Sequence, residues 1–126
     1  MEIIGLGVDL VEVDRVRTLL DRYGEAFRAR CFTDPEWAYA QRFRDPAVRL
    51  AARFAGKEAV MKSLGTGWRM LPWTDIEITG GGAPRVNLSG RAAQRATMLG
   101  VSTVLVTITH TREQSVVMAI ATGREA

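Results

Sequence analysis

Between Asp45 and Gly65 lie nineteen residues, beginning with Pro46, that can form one uninterrupted helix. Asp45 stands as N-cap with proline in the first turn, and Gly65 takes the position just past the helix end. At 3.6 residues per turn this is about five turns, the longest element the sequence specifies. Gly56 lies inside it and costs roughly 1 kcal/mol against alanine. Its presence points either to close approach by backbone or ligand, or to plain helix packing.

The middle of that helix, Arg53-Phe54-Ala55-Gly56-Lys57-Glu58-Ala59-Val60-Met61-Lys62, carries a carboxylate with three cations nearby. One other segment has a comparably odd charge: Asp9, within the apolar run Ile3-Ile4-Gly5-Leu6-Gly7-Val8-Asp9-Leu10-Val11. An ionised carboxylate in a buried strand is costly unless a metal, a cation or several hydrogen bonds compensate it. Two such carboxylates far apart in sequence, with lysines suited to phosphate, suggest a divalent-metal site for a phosphorylated substrate.

The remaining elements follow from periodicity and punctuation. After the first strand, Val13, Val16, Leu19, Leu20 and Tyr23 recur at helical spacing. Gly24 interrupts that helix, and a short second one runs to about Phe32. Thr33-Asp34-Pro35-Glu36 is a start signal, either a Thr33–Glu36 capping box or an Asp34 cap with Pro35 behind it, for a helix reaching about Phe43. Asp75 to Thr79 and Arg85 to Leu88 read as strands around Gly80-Gly81-Gly82-Ala83-Pro84. No helix follows the glycines directly and no Lys-Ser/Thr pair ends the run, so they read as a turn rather than a phosphate loop. Ser89 caps a helix over Arg91 to Leu99, ended by Gly100. Val101 to His110 and Ser115 to Thr122 form a second strand pair. The order strand, helices, strand pair, helix, strand pair predicts an α+β fold, with helices packed on a largely antiparallel sheet.

Composition narrows the function classes. The 126 residues, 47% of them apolar, fit a single domain spanning 1–126. No run of about 18 apolar residues is present to cross a membrane. The N-terminus lacks the basic start and cleavage site of a signal peptide, which points to the cytoplasm. Cys31 is the only cysteine, which excludes an internal disulfide and a cysteine-cluster metal site and reads as a reduced thiol. The net charge of +3, mostly arginine, suits carboxylate or phosphate partners and is too weak alone to imply nucleic acid. Few aromatics, no basic run and no recognition-helix motif argue against a nucleic-acid-binding domain. A two-metal hydrolase or nuclease would recruit more carboxylates than Asp9 and Glu58.

Spacing leaves alternatives at each candidate. Glu58 and Lys62 sit one turn apart, which also suits a surface i,i+4 salt bridge. Lys57 and Arg53 form another such pair, turned roughly 100 to 140° from Glu58, so the cations cannot all point at one atom. Asp9 could instead be an N-cap near the strand end or half of a buried ion pair with an arginine. Mg²⁺ takes one or two carboxylates, keeps waters and uses substrate phosphate oxygens for the rest, an inventory that Asp9 and Glu58 would supply. His110, the only histidine, ends a strand, a place where a hydrogen-bonding surface or interface residue is usual.

Gly7-Val8-Asp9, the run Arg53 to Lys62 followed by Leu64-Gly65-Thr66-Gly67, and Ile108-Thr109-His110-Thr111 together resemble the holo-acyl-carrier-protein synthases, the small single-domain group of 4′-phosphopantetheinyl transferases. The match in length and element order covers essentially the whole chain, and the first two motifs form the family's paired signature. The loop from Trp68 to Trp73 matches nothing recognisable.

The resemblance implies Mg²⁺-dependent transfer of 4′-phosphopantetheine from coenzyme A to a serine of apo acyl carrier protein, leaving adenosine 3′,5′-bisphosphate, in support of fatty acid biosynthesis. It assigns Asp9 and Glu58 to the metal, and Glu58 and Lys62 to catalysis. Glu58 is the nearest candidate to take the serine proton, directly or through a water. Arg53, Lys57 and Lys62 are expected on the coenzyme phosphates, with Gly65, Gly67 and His110 lining the coenzyme pocket. The family is typically a homotrimer with sites between subunits, so His110 is expected to serve a neighbour. For the acidic carrier protein the expected docking surface is Arg15, Arg22 and Arg28. Arg15 matches the family's docking position; Arg22 shares its helix face, seven residues on.

Overall fold

The computed structural model describes residues 1–124. Strand β1 (Glu2–Glu12) is followed by four helices: α1 (Val13–Tyr23), α2 (Glu25–Cys31), α3 (Asp34–Ala40) and α4 (Pro46–Ser63). A single 3₁₀ turn at Trp73–Asp75 leads into the hairpin β2 (Ile76–Thr79) and β3 (Arg85–Leu88). Helix α5 (Gly90–Leu99) then precedes β4 (Val101–His110) and β5 (Gln114–Gly123). The order β1-β5-β4 makes one antiparallel sheet and β2–β3 a second, the α+β arrangement that the element order predicts.

Helix α4 crosses the inner face of the larger sheet, and glycines set how close it comes. A Cβ on Gly5 would stand 1.9 Å from the Ser63 carbonyl oxygen, and one on Gly7 1.9 Å from that of Ala59. Backbone therefore lies on backbone, and the same inward parity carries Asp9, paired with Val117 of β5, and the buried Val11 toward α4. Ser115, Val117, Ala119 and Ala121 of β5 complete that buried face. Gly56 has the plain explanation: a Cβ there would meet Ile78 Cδ1 at 2.3 Å, so the glycine admits the β2 hairpin.

The outer face of the sheet is apolar and uncovered. Leu6, Val8 and Leu10 of β1 are 63%, 53% and 52% exposed, and Met118 of β5 and Leu105 of β4 are also exposed. Register puts Val8 beside Met118, and Leu6 and Leu105 on either side of Ile120.

Local caps refine the sequence reading. Thr33 and Glu36 form the capping box, with bonds of 3.4 and 2.9 Å, so Thr33 and not Asp34 starts α3. Asp45 makes no side-chain cap on α4, because Arg17 holds its carboxylate at 2.8 and 2.5 Å. Ser89 likewise makes no side-chain cap on α5. The Asp75 carboxylate does so from the far end of the hairpin, accepting from Arg91 N at 2.7 Å and Ala92 N at 3.3 Å. At the end of α4, Gly65 N donates to Lys62 O and Thr66 N to Met61 O, with Gly65 at φ +70°, a Schellman motif.

Candidate active site

The β1–α4 contact brings Asp9 and Glu58 together. Lys62 does not form the surface pair with Glu58 that spacing allows. It reaches across to β1, with Nζ 3.0 Å from Asp9 Oδ1, and donates to Val8 O at 3.1 Å. The other Asp9 oxygen, Oδ2, is buried and has no hydrogen-bond partner among the described residues, in a side chain only 11% exposed. Burial, with Asp9 beside it, pushes the Glu58 carboxyl up to about 7, against the opposing pull of Arg15 and Lys62. Two carboxylates in a half-dry site with one ammonium on Asp9 have room for more positive charge. Among the described residues no third histidine, cysteine or carboxylate joins them. That donor set suits Mg²⁺, which completes its shell with waters and phosphate oxygens.

Beside Glu58 opens a cleft of about 430 Å³ whose walls include Arg15, Phe27, Arg30, Phe54, Trp68 and Trp73. The Phe54 and Trp73 rings stack at 4.6 Å and 12°. The Arg15 guanidinium stands over Phe54 at 5.6 Å, and Arg30 and Arg69 flank Trp68 at 5.7 and 5.3 Å. The rim is thus cationic and the floor aromatic. Cys31 also lines this cleft, and burial pushes its thiol up to about 11, so it stays protonated.

Arg28 does not belong to this surface. It lies over Trp37 at 4.8 Å, pairs with Glu25 and Asp34, and lines a separate groove. Arg30 takes the place expected of it. The two arginines flank the buried Phe27–Cys31 stripe of α2 on opposite sides, and only the docking of α2 decides which flank faces α1. Arg22 is exposed on α1, two turns beyond Arg15.

Lys57 is displaced most from its expected role. Its side chain is fully buried, 2.7 Å from Glu36 Oε1, and donates to Trp73 O at 3.1 Å and Ile76 O at 2.6 Å. With all three ammonium protons engaged, Lys57 has none left for a coenzyme phosphate. Spacing gave the direction, since Lys57 is rotated about 100° from Glu58, but nothing in the sequence paired it with Glu36.

Arg53 and His110 meet in a second cleft of about 210 Å³, with Tyr39, Arg49 and the Gly80–Gly82 turn. Arg53 is 4% exposed, donates to Gly80 O at 2.9 Å, lies over the Tyr39 ring at 4.7 Å, and keeps a buried Nε with no partner among the described residues. A cation held in place with a donor to spare suits an anion. Gly65 and Gly67 lie in neither cleft; they follow Lys62 off the end of α4, and Gly67 O accepts from Met70 N.

Residues 5–121 match the family model of the 4′-phosphopantetheinyl transferase superfamily. The chain is 47% identical over 112 residues to a holo-[acyl-carrier-protein] synthase of Solibacter usitatus, covering 86% of this chain and 90% of that one. It is 45% identical over 123 residues to one of Desulforudis audaxviator, covering 96% and 94%. Among solved structures, the Plasmodium yoelii acyl carrier protein synthase with ADP bound superposes with a TM-score of 0.89 at 28% identity, covering 98% of each chain. The Bacillus anthracis holo-(acyl-carrier-protein) synthase in complex with CoA (3′,5′-ADP) does so with a TM-score of 0.78 at 27% identity, covering 97% and 98%.

Proposed function

The chain belongs to the 4′-phosphopantetheinyl transferase superfamily, and we propose that Asp9, Glu58 and Lys62 form its transfer centre. With the holo-[acyl-carrier-protein] synthases it shares nearly its whole length, and it transfers the 4′-phosphopantetheine of coenzyme A to a serine of apo acyl carrier protein. The serine oxygen forms a bond to the phosphorus that carries the pantetheine. The bond from that phosphorus to the bridging oxygen breaks, and adenosine 3′,5′-bisphosphate leaves. In our reading it does so in the cytoplasm, supplying fatty acid biosynthesis.

The observation that carries the site assignment is the Asp9–Glu58 pair, with its unpartnered Oδ2 and elevated Glu58. Asp9 and Glu58 would hold Mg²⁺, which when bound neutralises charge on the diphosphate. Lys62, half exposed at the helix end, can turn from Asp9 to a phosphate oxygen, since such reactions depend on positioning and charge stabilisation. Glu58, with a carboxyl near neutrality, is placed to take the serine proton. The cationic rim of Arg15 and Arg30 faces the acidic carrier protein.

The Arg53–His110 cleft shares no wall residue with the Glu58 cleft. We read it as the cationic pocket for the adenosine end of a coenzyme bound at a neighbouring protomer's centre. The uncovered Leu6–Val8–Leu10 face supports that reading, since a homotrimer would bury it. Incubation with coenzyme A, Mg²⁺ and an apo carrier should release adenosine 3′,5′-bisphosphate only when the carrier is present. Release without carrier would indicate a hydrolase instead, and light scattering that finds a fully active monomer would remove the trimer.

A further inference from the structure

Lys57 sits next to Glu58 in the chain yet turns away from the transfer centre into the core. Its Nζ is 2.7 Å from Glu36 Oε1 and donates to the carbonyls of Trp73, the first residue of the 3₁₀ turn, and Ile76, the residue just past it. Glu36 also accepts from Thr33 N at 2.9 Å and from Ile78 N at 2.8 Å. One buried pair therefore ties together α3, α4, the 3₁₀ turn and β2. Apolar residues of similar volume would fill this space without the desolvation cost of two charges, but they would take a hydrogen-bond partner from four backbone groups. What they cannot supply is direction: a fixed ammonium sets where two carbonyls, and the residues that bear them, must lie.

The residue so placed is Trp73, whose ring lies flat on Phe54 at 4.6 Å. Phe54 stands one turn before Glu58 on α4, under the Arg15 guanidinium, and all four residues wall the same cleft. Between the end of α4 and β2 the 3₁₀ turn is the only regular element, so Trp73 has little local structure of its own to hold it.

We propose that Lys57 is a positioning residue of the transfer reaction: through Glu36 and the Trp73 carbonyl it holds Trp73 on Phe54 and fixes the cleft floor on which the carrier protein docks. This rests on the reading of that cleft as the carrier's approach. The pair acts on the carrier side of the reaction and not on the coenzyme.

The test is the double variant Glu36→Leu/Lys57→Met, which removes the pair without stranding a buried charge. Initial rates are measured with carrier and coenzyme A varied separately. Thermal unfolding is followed alongside. Acrylamide quenching of Trp73 is read with Trp37→Phe and Trp68→Phe in both parent and variant. The expected result is a lowered unfolding midpoint, since four backbone groups lose a partner, in a protein still folded at the assay temperature, with stronger quenching of Trp73 and a carrier KM raised about tenfold with coenzyme KM within about twofold. An unchanged carrier KM, or a rise in coenzyme KM alone, overturns the proposal. If the double variant does not fold, Trp73→Leu keeps the pair and removes the stack; it must raise carrier KM in the same way, and an unchanged value overturns the proposal equally. A parent enzyme that modifies no carrier would refute the functional reading itself, whereas an active parent with an unaffected variant refutes only the role of Lys57.

Discussion

Gly7→Ala tests how the site is assembled, because it adds one methyl group where two backbones touch. The new Cβ would lie 1.9 Å from the Ala59 carbonyl oxygen and 2.9 Å from Ser63 N. Neither neighbour is a side-chain tip that can swing aside, so α4 must move off β1 by about 1.5 Å to reach ordinary contact distance. Overpacking of this kind costs typically 1–3 kcal/mol. For a domain of this size that lowers the unfolding midpoint by roughly 3–12 °C. The same displacement separates Asp9 from Glu58, and a shift of about 1 Å in a positioned group can cost about 100-fold in rate. Differential scanning fluorimetry and steady-state transfer to apo carrier read the two effects on one preparation. A Gly7→Ala protein with an unchanged midpoint and kcat/KM within about twofold of the parent would show that the glycines do not set the β1–α4 distance.

If Glu58 holds Mg²⁺ as proposed, its carboxyl, pushed up to about 7, would make metal binding compete with a proton. Affinity measured by calorimetry should fall about tenfold per unit below pH 7 and level off above it, and a flat profile from pH 6 to 8 contradicts the assignment. Since this group binds its proton more tightly folded than at its ordinary 4.5, the metal-free protein should lose stability as pH rises from about 4.5 to 7. Arg15→Glu and Arg30→Glu should each raise carrier KM far more than coenzyme KM and flatten the salt dependence, while Arg28→Glu should do neither. Equal effects at Arg28 and Arg30 would mean that the carrier does not dock at the Glu58 cleft.

Much of this arrangement is legible in the sequence because its determinants are local. The apolar run around Asp9, the Asp45-Pro46 to Gly65 bounds of α4 and the Thr33–Glu36 box depend on neighbours within a few residues. The observed elements follow them to within about three residues. What escaped were pairings over long sequence distances. Lys57 lies 21 residues from Glu36, and Asp75 caps a helix 16 residues on. No local spacing links either pair, and each takes a residue from the role its immediate surroundings suggest. The substitution of Arg30 for Arg28 has a similar cause: helical periodicity defines the buried stripe of α2 but not which of its two edges faces the cleft. The exposed Leu6, Val8 and Leu10 face was not legible, because the run from Ile3 to Val11 is apolar at nearly every position and reads as a strand buried on both sides.

The central claim is that Asp9 and Glu58, joined across β1 and α4, form the centre of phosphopantetheine transfer. Intact-mass spectrometry of an apo acyl carrier protein, after incubation with coenzyme A, Mg²⁺ and either the parent or its Asp9→Asn and Glu58→Gln variants, tests it most directly. The parent should shift the carrier by the mass of one phosphopantetheine on a single serine. Each variant, folded by circular dichroism, should leave it apo over the same interval, because each removes one of two hard-cation ligands. A carrier converted at near-parent rate by either variant at limiting Mg²⁺ would contradict the claim.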